Sequence, residues 1–207
     1  MKGMQATIHD IERLFGTSDL NALEQIAKQW ASADANPRGA GRKKKFTLDE
    51  VVTMKVMQQD GTTEAQLAKQ YKTSRQTIST NFRRLYDFSE HPTADSRIFY
   101  MHGKNLCTVI DVDHRNEKVY AKNFTEKPLL TAFGKKSEPT WQDYQLFLTE
   151  RCFPQSRAHS RQILRDMGLD FFDPEAIIRK TRGRMAEDRH WMLQVQNPNA
   201  GVPYARN

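Results

Sequence analysis

Residues 41–84, GRKKKFTLDEVVTMKVMQQDGTTEAQLAKQYKTSRQTISTNFRR, constrain the fold more than any other stretch. Four consecutive cations, Arg42, Lys43, Lys44 and Lys45, follow a glycine. Thr47, with Glu50 three residues on, has the spacing of a capping box, in which each side chain satisfies the other residue's backbone N–H. The helix that this box opens carries Val51, Val52, Met54, Val56 and Met57 and ends at Asp60-Gly61. Thr63 opens a second helix, with Leu67, Ala68 and Tyr71 turned inward. The small Ala68 suits the closest approach of two steeply crossed helices. After a turn at Lys72-Thr73, Ser74 is an N-cap for a third helix over 75–85, whose inward face is Ile78, Phe82 and Leu85.

The outward face of that third helix carries Arg75, Gln76, Thr77, Thr80, Arg83 and Arg84. Arginine can bond guanine bidentately, glutamine can do the same to adenine, and a threonine methyl can meet that of thymine. Ser74, Thr77 and Arg84 suit phosphate contacts, which fix register without reading sequence. The cations ahead of the first helix suit an arm laid in a minor groove, with Gly41 offering no Cβ to obstruct it. Charge is distributed accordingly. The formal net charge is +7, and Lys plus Arg against Asp plus Glu number 3 against 5 over residues 1–35, 11 against 4 over 36–86, and 18 against 16 over 87–207. The excess of the middle segment equals that of the whole chain, which points to a polyanionic partner for that segment in particular.

Together these residues resemble the C-terminal helix-turn-helix domain of serine recombinases of the Hin and resolvase type. The correspondence runs through Gly41-Arg42, Phe46-Thr47, Gly61, Leu67-Ala68 and Ser74-Arg75 to Thr77-Ile78. It implies a three-helix unit whose third helix reads the major groove of double-stranded DNA and whose arm, led by Arg42, enters the minor groove. Two positions depart from the pattern. Lys72 stands where the turn usually carries Gly, so a left-handed backbone there costs about 1 kcal/mol. Thr73 stands where a buried Val or Ile is usual, which loosens the turn. About 40 residues precede the arm, too few for the recombinase catalytic domain, and they hold no nucleophilic Ser with an arginine cluster. No recombinase activity is expected.

The flanks are read from periodicity. Over 1–35, Ile8, Ile11, Leu14 and Phe15, then Leu20, Leu23, Ile26, Ala27 and Trp30 behind a Ser18/Asp19 cap, predict a helical hairpin. That hairpin serves equally as a dimer seam or as plain core. Residues 36–88 form the helix-turn-helix domain with its arm, and 87–96 a polar linker. Strands are predicted over 98–101, 106–112 and 118–124, with turns at 102–105 and 114–117. Helices follow around Trp141 to Leu148, before Gly168, over 175–181 behind Asp173-Pro174, and over 185–195 around Trp191. The fold class is thus mainly α with a small α+β C-terminal domain over 97–195: a three-stranded meander with about four helices, then a loose tail over 196–207. The segments MHGKNLCTVIDVD, RCFPQSR and FDPEAIIRKTRGRMAEDRHW resemble modules of Gram-positive mobile elements that precede HipA-like kinase domains. No kinase motif accompanies them, so this resemblance implies a setting and no activity.

Chemistry is sparse elsewhere. Cys107 and Cys152 lie far apart among apolar residues and read as buried free thiols of a reducing compartment. Asp111, Asp113 and His114 read as a strand end and turn, since the calcium-loop pattern fails. Cys152 with His159 lacks an orienting carboxylate, and Glu187, Asp188 and His190 read as a cap and exposed helix face. No catalytic residue, metal ligand set or cofactor is expected, and the chain is read as no enzyme. Arg157, Arg161 and Arg165 recur every four residues along the helix expected after Pro154. They are either a solvated face or a candidate second anion-binding surface, and the same holds for Arg179, Lys180, Arg182 and Arg184. No apolar run approaches the roughly 20 residues of a membrane span, and the N-terminus lacks an apolar signal core, so a cytoplasmic, nucleoid-associated protein is expected. Two functions fit. One is a sequence-specific regulator of transcription in a phage or mobile element, acting as a homodimer or through a protein partner at 97–195. The other is an anti-CRISPR-type inhibitor whose helix-turn-helix autoregulates or binds DNA while the C-terminal domain blocks a Cas nuclease.

Overall fold

A computed structural model describes residues 17–25 and 45–200. The chain divides at Lys45/Phe46 into two units. In the first, residues 20–25 are helical and Asp19 caps them, accepting from the Asn21 N–H at 3.1 Å. The rest of the hairpin expected over 1–35, and Arg42, Lys43 and Lys44 of the arm, lie outside the described residues.

The second unit opens with α1 (Leu48–Gln59), α2 (Glu64–Gln70) and α3 (Arg75–Arg83), closed by a 3-10 turn at Arg84–Tyr86. An antiparallel meander follows: β1 (Ser96–His102), β2 (Asn105–Asp113) and β3 (Lys118–Asn123). Then come α4 (Trp141–Glu150), α5 (Ser160–Asp166) and α6 (Pro174–Thr181), and the chain returns as β4 (His190–Gln196), antiparallel to β1. The sheet order is β3-β2-β1-β4.

Side-chain alternation gives the sheet two apolar faces. Phe99 and Met101 of β1, Leu106 of β2, and Trp191, Leu193 and Val195 of β4 share one buried cluster with the inward residues of α1, α2 and α3. Ile98 and Tyr100, Ile110 and Val112, and Met192 share the other with Tyr144, Phe147 and Leu148 of α4, Leu164 of α5, and Ile177 and Ile178 of α6. A bulge keeps this sorting consistent. Tyr100 pairs with Thr108 but Met101 with Leu106, so Cys107 is the extra residue, and it joins the second cluster while Leu106 joins the first. The helix-turn-helix segment and the sheet are thus halves of one core.

The mixed α and α+β architecture agrees with expectation, and two details are corrected. Of the segment expected as a helix over 185–195, residues 190–195 lie in β4 and 185–189 form no helix. Trp191, Leu193 and Val195 turn to one face while Met192 turns to the other, so an edge strand buried on both sides reads as a continuous apolar run, which periodicity alone does not separate from a helix. The helix expected directly after Pro154 begins only at Ser160, behind His159 in a left-handed conformation. The strand end is pinned. Asn197, at the head of the tail expected from 196, donates from Nδ2 to the Ala94 carbonyl at 2.7 Å and from its backbone to the Asp95 carbonyl at 2.8 Å. Residues 201–207 lie outside the described residues.

Two polar networks hold the sheet to its loops. Asp111 accepts from Arg97 Nε at 2.5 Å and from its NH2 at 2.7 Å, and pairs with His91 Nδ1 at 2.9 Å. The turn after β2 is held by His114, whose Nδ1 lies 2.5 Å from Asp95 and whose Nε2 lies 2.8 Å from Glu175 at the start of α6. Tyr144 donates to the same Glu175 oxygen at 3.2 Å. Burial disfavours the charged imidazole, but the hydrogen bonds and charges of Glu175 and Asp95 outweigh it and lift His114 to about 9 from an ordinary 6.5. The raised value means that this interaction stabilises fully below the unfolded pKa of 6.5 and is lost as pH rises through about 9. For His114→Gln, thermal melts are expected to show the largest deficit from wild type near about pH 6 and a closing gap by about pH 10. A deficit independent of pH contradicts the charged pairing.

Candidate nucleic-acid interface

Local chemistry fixes each helix of the helix-turn-helix. Thr47 Oγ1 accepts from the Glu50 N–H at 3.3 Å and Glu50 Oε2 from the Thr47 N–H at 2.9 Å, closing the capping box. Thr63 and Gln66 repeat the device at 3.3 and 2.8 Å, and Ser74 Oγ accepts from the Thr77 N–H at 3.1 Å. α1 ends in a Schellman motif: the Gly61 N–H donates to Gln58 O at 3.1 Å and the Thr62 N–H to Met57 O at 2.9 Å, with Gly61 at φ +100°. α2 ends in the same motif without glycine, the Lys72 N–H reaching Lys69 O at 3.3 Å and the Thr73 N–H reaching Ala68 O at 2.9 Å. Lys72 sits at φ +47°, the left-handed backbone anticipated for it.

Inside the unit, Val51, Val52, Met54, Leu67, Ala68, Ile78 and Phe82 are buried, and the Phe46 and Tyr71 rings meet edge to face at 5.8 Å. This packing sets the rotation of α3. Its buried side is Ile78, Asn81 and Phe82. At about 100° per residue, Gln76, Thr80 and Arg83 fall within roughly a 60° arc opposite that side, with Arg75 on its flank. All four are exposed, and so is Lys45 at the root of the arm.

The remaining expected residues are placed differently. Thr77 is half-buried, and its hydroxyl lies 2.9 Å from Ser74 Oγ, so these two oxygens share the helix cap. Arg84 is half-buried, with one guanidinium nitrogen donating to Phe46 O at 2.8 Å and to Asn81 Oδ1 at 2.9 Å, while Asn81 Nδ2 donates to Thr77 O at 2.8 Å. Arg84 therefore fastens the end of α3 to Phe46, the residue that follows the basic arm. That role is invisible in the sequence, because the partner is a backbone carbonyl 38 positions away.

Sequence reasoning also passed over Glu64. Its Oε2 lies 3.7 Å from Arg75 Nε, and its other oxygen accepts from Gln58 Nε2 at 3.3 Å. Gln58 is held in turn by Lys55 Nζ at 2.8 Å, which lies 5.1 Å from the centre of the Phe82 ring. The spacing of Lys55 and Gln58 on α1 hints at a pair, but only the fold brings Glu64 to them.

Arg157, Arg161 and Arg165 are all exposed. Arg157 lies in the turn ahead of α5, so only Arg161 and Arg165 share a helical face. Arg151, which precedes them in the sequence, is buried and serves another purpose. Burial pushes the Cys152 thiol up to about 11 and its Sγ donates to Pro174 O at 3.7 Å, which suits a packed thiol and not a nucleophile. Asp188 is taken up by Arg151. Among the described residues no group of three or more His, Cys, Asp and Glu side chains could hold a metal, and no helix is long and apolar enough to cross a membrane.

Residues 41–78 match the family model for the helix-turn-helix domain of resolvase. The segment is a helix-turn-helix of the resolvase type, a DNA-binding module. The match begins at the glycine before the arm and ends at Ile78, inside α3, so it covers fewer than a fifth of the chain. No curated protein and no solved structure matches the chain.

The strained turn of this module makes a direct prediction. Lys72→Gly is expected to raise stability by up to about 0.5 kcal/mol, the left-handed strain of about 1 kcal/mol relieved less the added freedom of the unfolded chain. Urea unfolding reads this as a higher midpoint at constant slope, and a lower midpoint would mean that Lys72 contributes a contact outweighing its strain.

Proposed function

We propose that this protein is a sequence-specific binder of double-stranded DNA that regulates transcription. The observation that carries the reading is the exposed stripe of Gln76, Thr80 and Arg83 flanked by Arg75, on a capped helix of a resolvase-type helix-turn-helix. Arg75, Gln76 and Thr80 read base edges in the major groove. Arg83, the free part of Arg84, Ser74 and Thr77 hold phosphates, while Arg42 enters the minor groove and Lys43, Lys44 and Lys45 neutralise its walls. The protein acts as a homodimer on two half-sites, and the part of the sheet domain facing away from the helix-turn-helix meets a protein partner. Arg161 and Arg165, with Arg157 nearby, offer a second anion-binding surface. The setting is a phage or other mobile element, following the resemblance of the C-terminal segments.

Selection of bound sequences from a random duplex pool tests this. A recovered motif, palindromic for a dimer, is the expected result; recovery of no preferred sequence overturns it. Arg75→Ala is expected to relax preference at one base position at a cost of about 1–3 kcal/mol on the preferred duplex, whereas Arg83→Ala weakens all duplexes alike. Equal losses on every sequence from both substitutions would remove the base-reading role of Arg75.

A further inference from the structure

The basic residues around the end of α6 have no part in the reading above, yet the α6–β4 loop that follows is firmly built. Arg151, buried at the end of α4, donates from Nε and NH2 to the Gly183 carbonyl at 3.1 and 2.7 Å and grips the Asp188 carboxylate. The hydrogen bond from Arg151 holds Asp188 down to about 2, so that acidic charge is spent within the loop. Gly183, at φ +59°, lies against β4, where a Cβ would run into the end of the Met192 side chain. The Met192 N–H donates to the Arg182 carbonyl at 2.8 Å.

From this platform Arg182 reaches the helix-turn-helix. Its two terminal nitrogens donate to the Asp60 carboxylate at 3.0 and 2.5 Å, and that hydrogen bonding lowers the pKa of Asp60 and raises that of Arg182. Asp60 is the C-cap of α1 and starts the turn into α2. Two residues before it, Gln58 touches Glu64, which in turn faces Arg75 at the head of the recognition helix. The α6–β4 loop is therefore fastened to the helix-turn-helix at the turn that leads to the base-reading residues. Asp60 matches the charge of Arg182, so this pair supplies position and no net charge. Lys180 and Arg184, on either side of it in sequence, are exposed and make no ion pair with any described residue; Arg184 rests 5.9 Å from the centre of the Trp191 ring.

We propose that Lys180, in the last turn of α6, and Arg184, in the loop after it, bind backbone phosphates of the duplex that α3 reads, so that the DNA interface continues from the helix-turn-helix onto the end of α6 and the α6–β4 loop. This rests on the duplex-binding reading. These contacts carry no sequence information; they lengthen the footprint and add to the counterions released on binding.

The test measures affinity of the full chain against salt concentration on a duplex carrying the selected motif, for wild type, Lys180→Ala/Arg184→Ala and Arg75→Ala. Both residues are exposed, and an unchanged thermal melt checks that the double variant is folded. Expected is a log–log salt slope shallower by about two for the double variant, with equal weakening on every duplex and an unchanged base preference. Trimming the flanking base pairs should remove the same portion of the slope from wild type and none from the double variant. An unchanged slope in the folded double variant overturns the extended interface. If Arg75→Ala still relaxes base preference in that case, the duplex-binding reading stands and only the extension falls. Failure of wild type to bind any duplex overturns both.

Discussion

The apolar contact between the helix-turn-helix and the first face of the sheet is the constraint on which the rest of this unit depends. Three helices of 12, 7 and 9 residues bury too little surface to be secure alone. Here Phe99, Met101, Leu106, Trp191, Leu193 and Val195 complete their core. The last three come from β4, the final element among the described residues, so the first helices of this unit are closed by its last described strand. Burial of these side chains, at about 25 cal/mol per Å² of apolar surface, outweighs any single polar link between the layers.

Polar contacts then set where the module sits. Asp49, in the first turn of α1, accepts from the Leu106 N–H at 3.3 Å, and Asp60 at its other end takes Arg182. The helix is thereby tied to the sheet domain at both ends. Arg84 and Asn81 fix α3 to Phe46. These bonds are directional where apolar packing is not, so they bear on which face of α3 is left to solvent. The charged His114 triad does corresponding work on the opposite side of the sheet.

Much of this was legible in the sequence where local chemistry dictates local structure. Thr47/Glu50, Ser74 and Asp173-Pro174 announce helix starts because the caps involve residues two or three apart, and the turns bracketing β1, β2 and β3 carry their own signals. Lys72 was expected to take a left-handed backbone and does. What was missed depends on long-range pairing. β4 lies between two cores, which hides its alternation; Arg84 looked like a surface cation because its carbonyl partner is distant; Glu64 gains its place beside Arg75 only when α1, α2 and α3 pack. The exposed stripe of α3 was legible, whereas the tie between Arg182 and Asp60, 122 positions apart, was not.

Native-state hydrogen exchange tests most directly whether the helix-turn-helix and the sheet are one cooperative structure. The slowest amides of α1 and α3 and those of β1 and β4 should open with the same free energy and respond to denaturant with the same slope. Exchange of the α1 and α3 amides through a smaller opening, with β1 still protected, would show that the module folds on its own and would contradict the shared core.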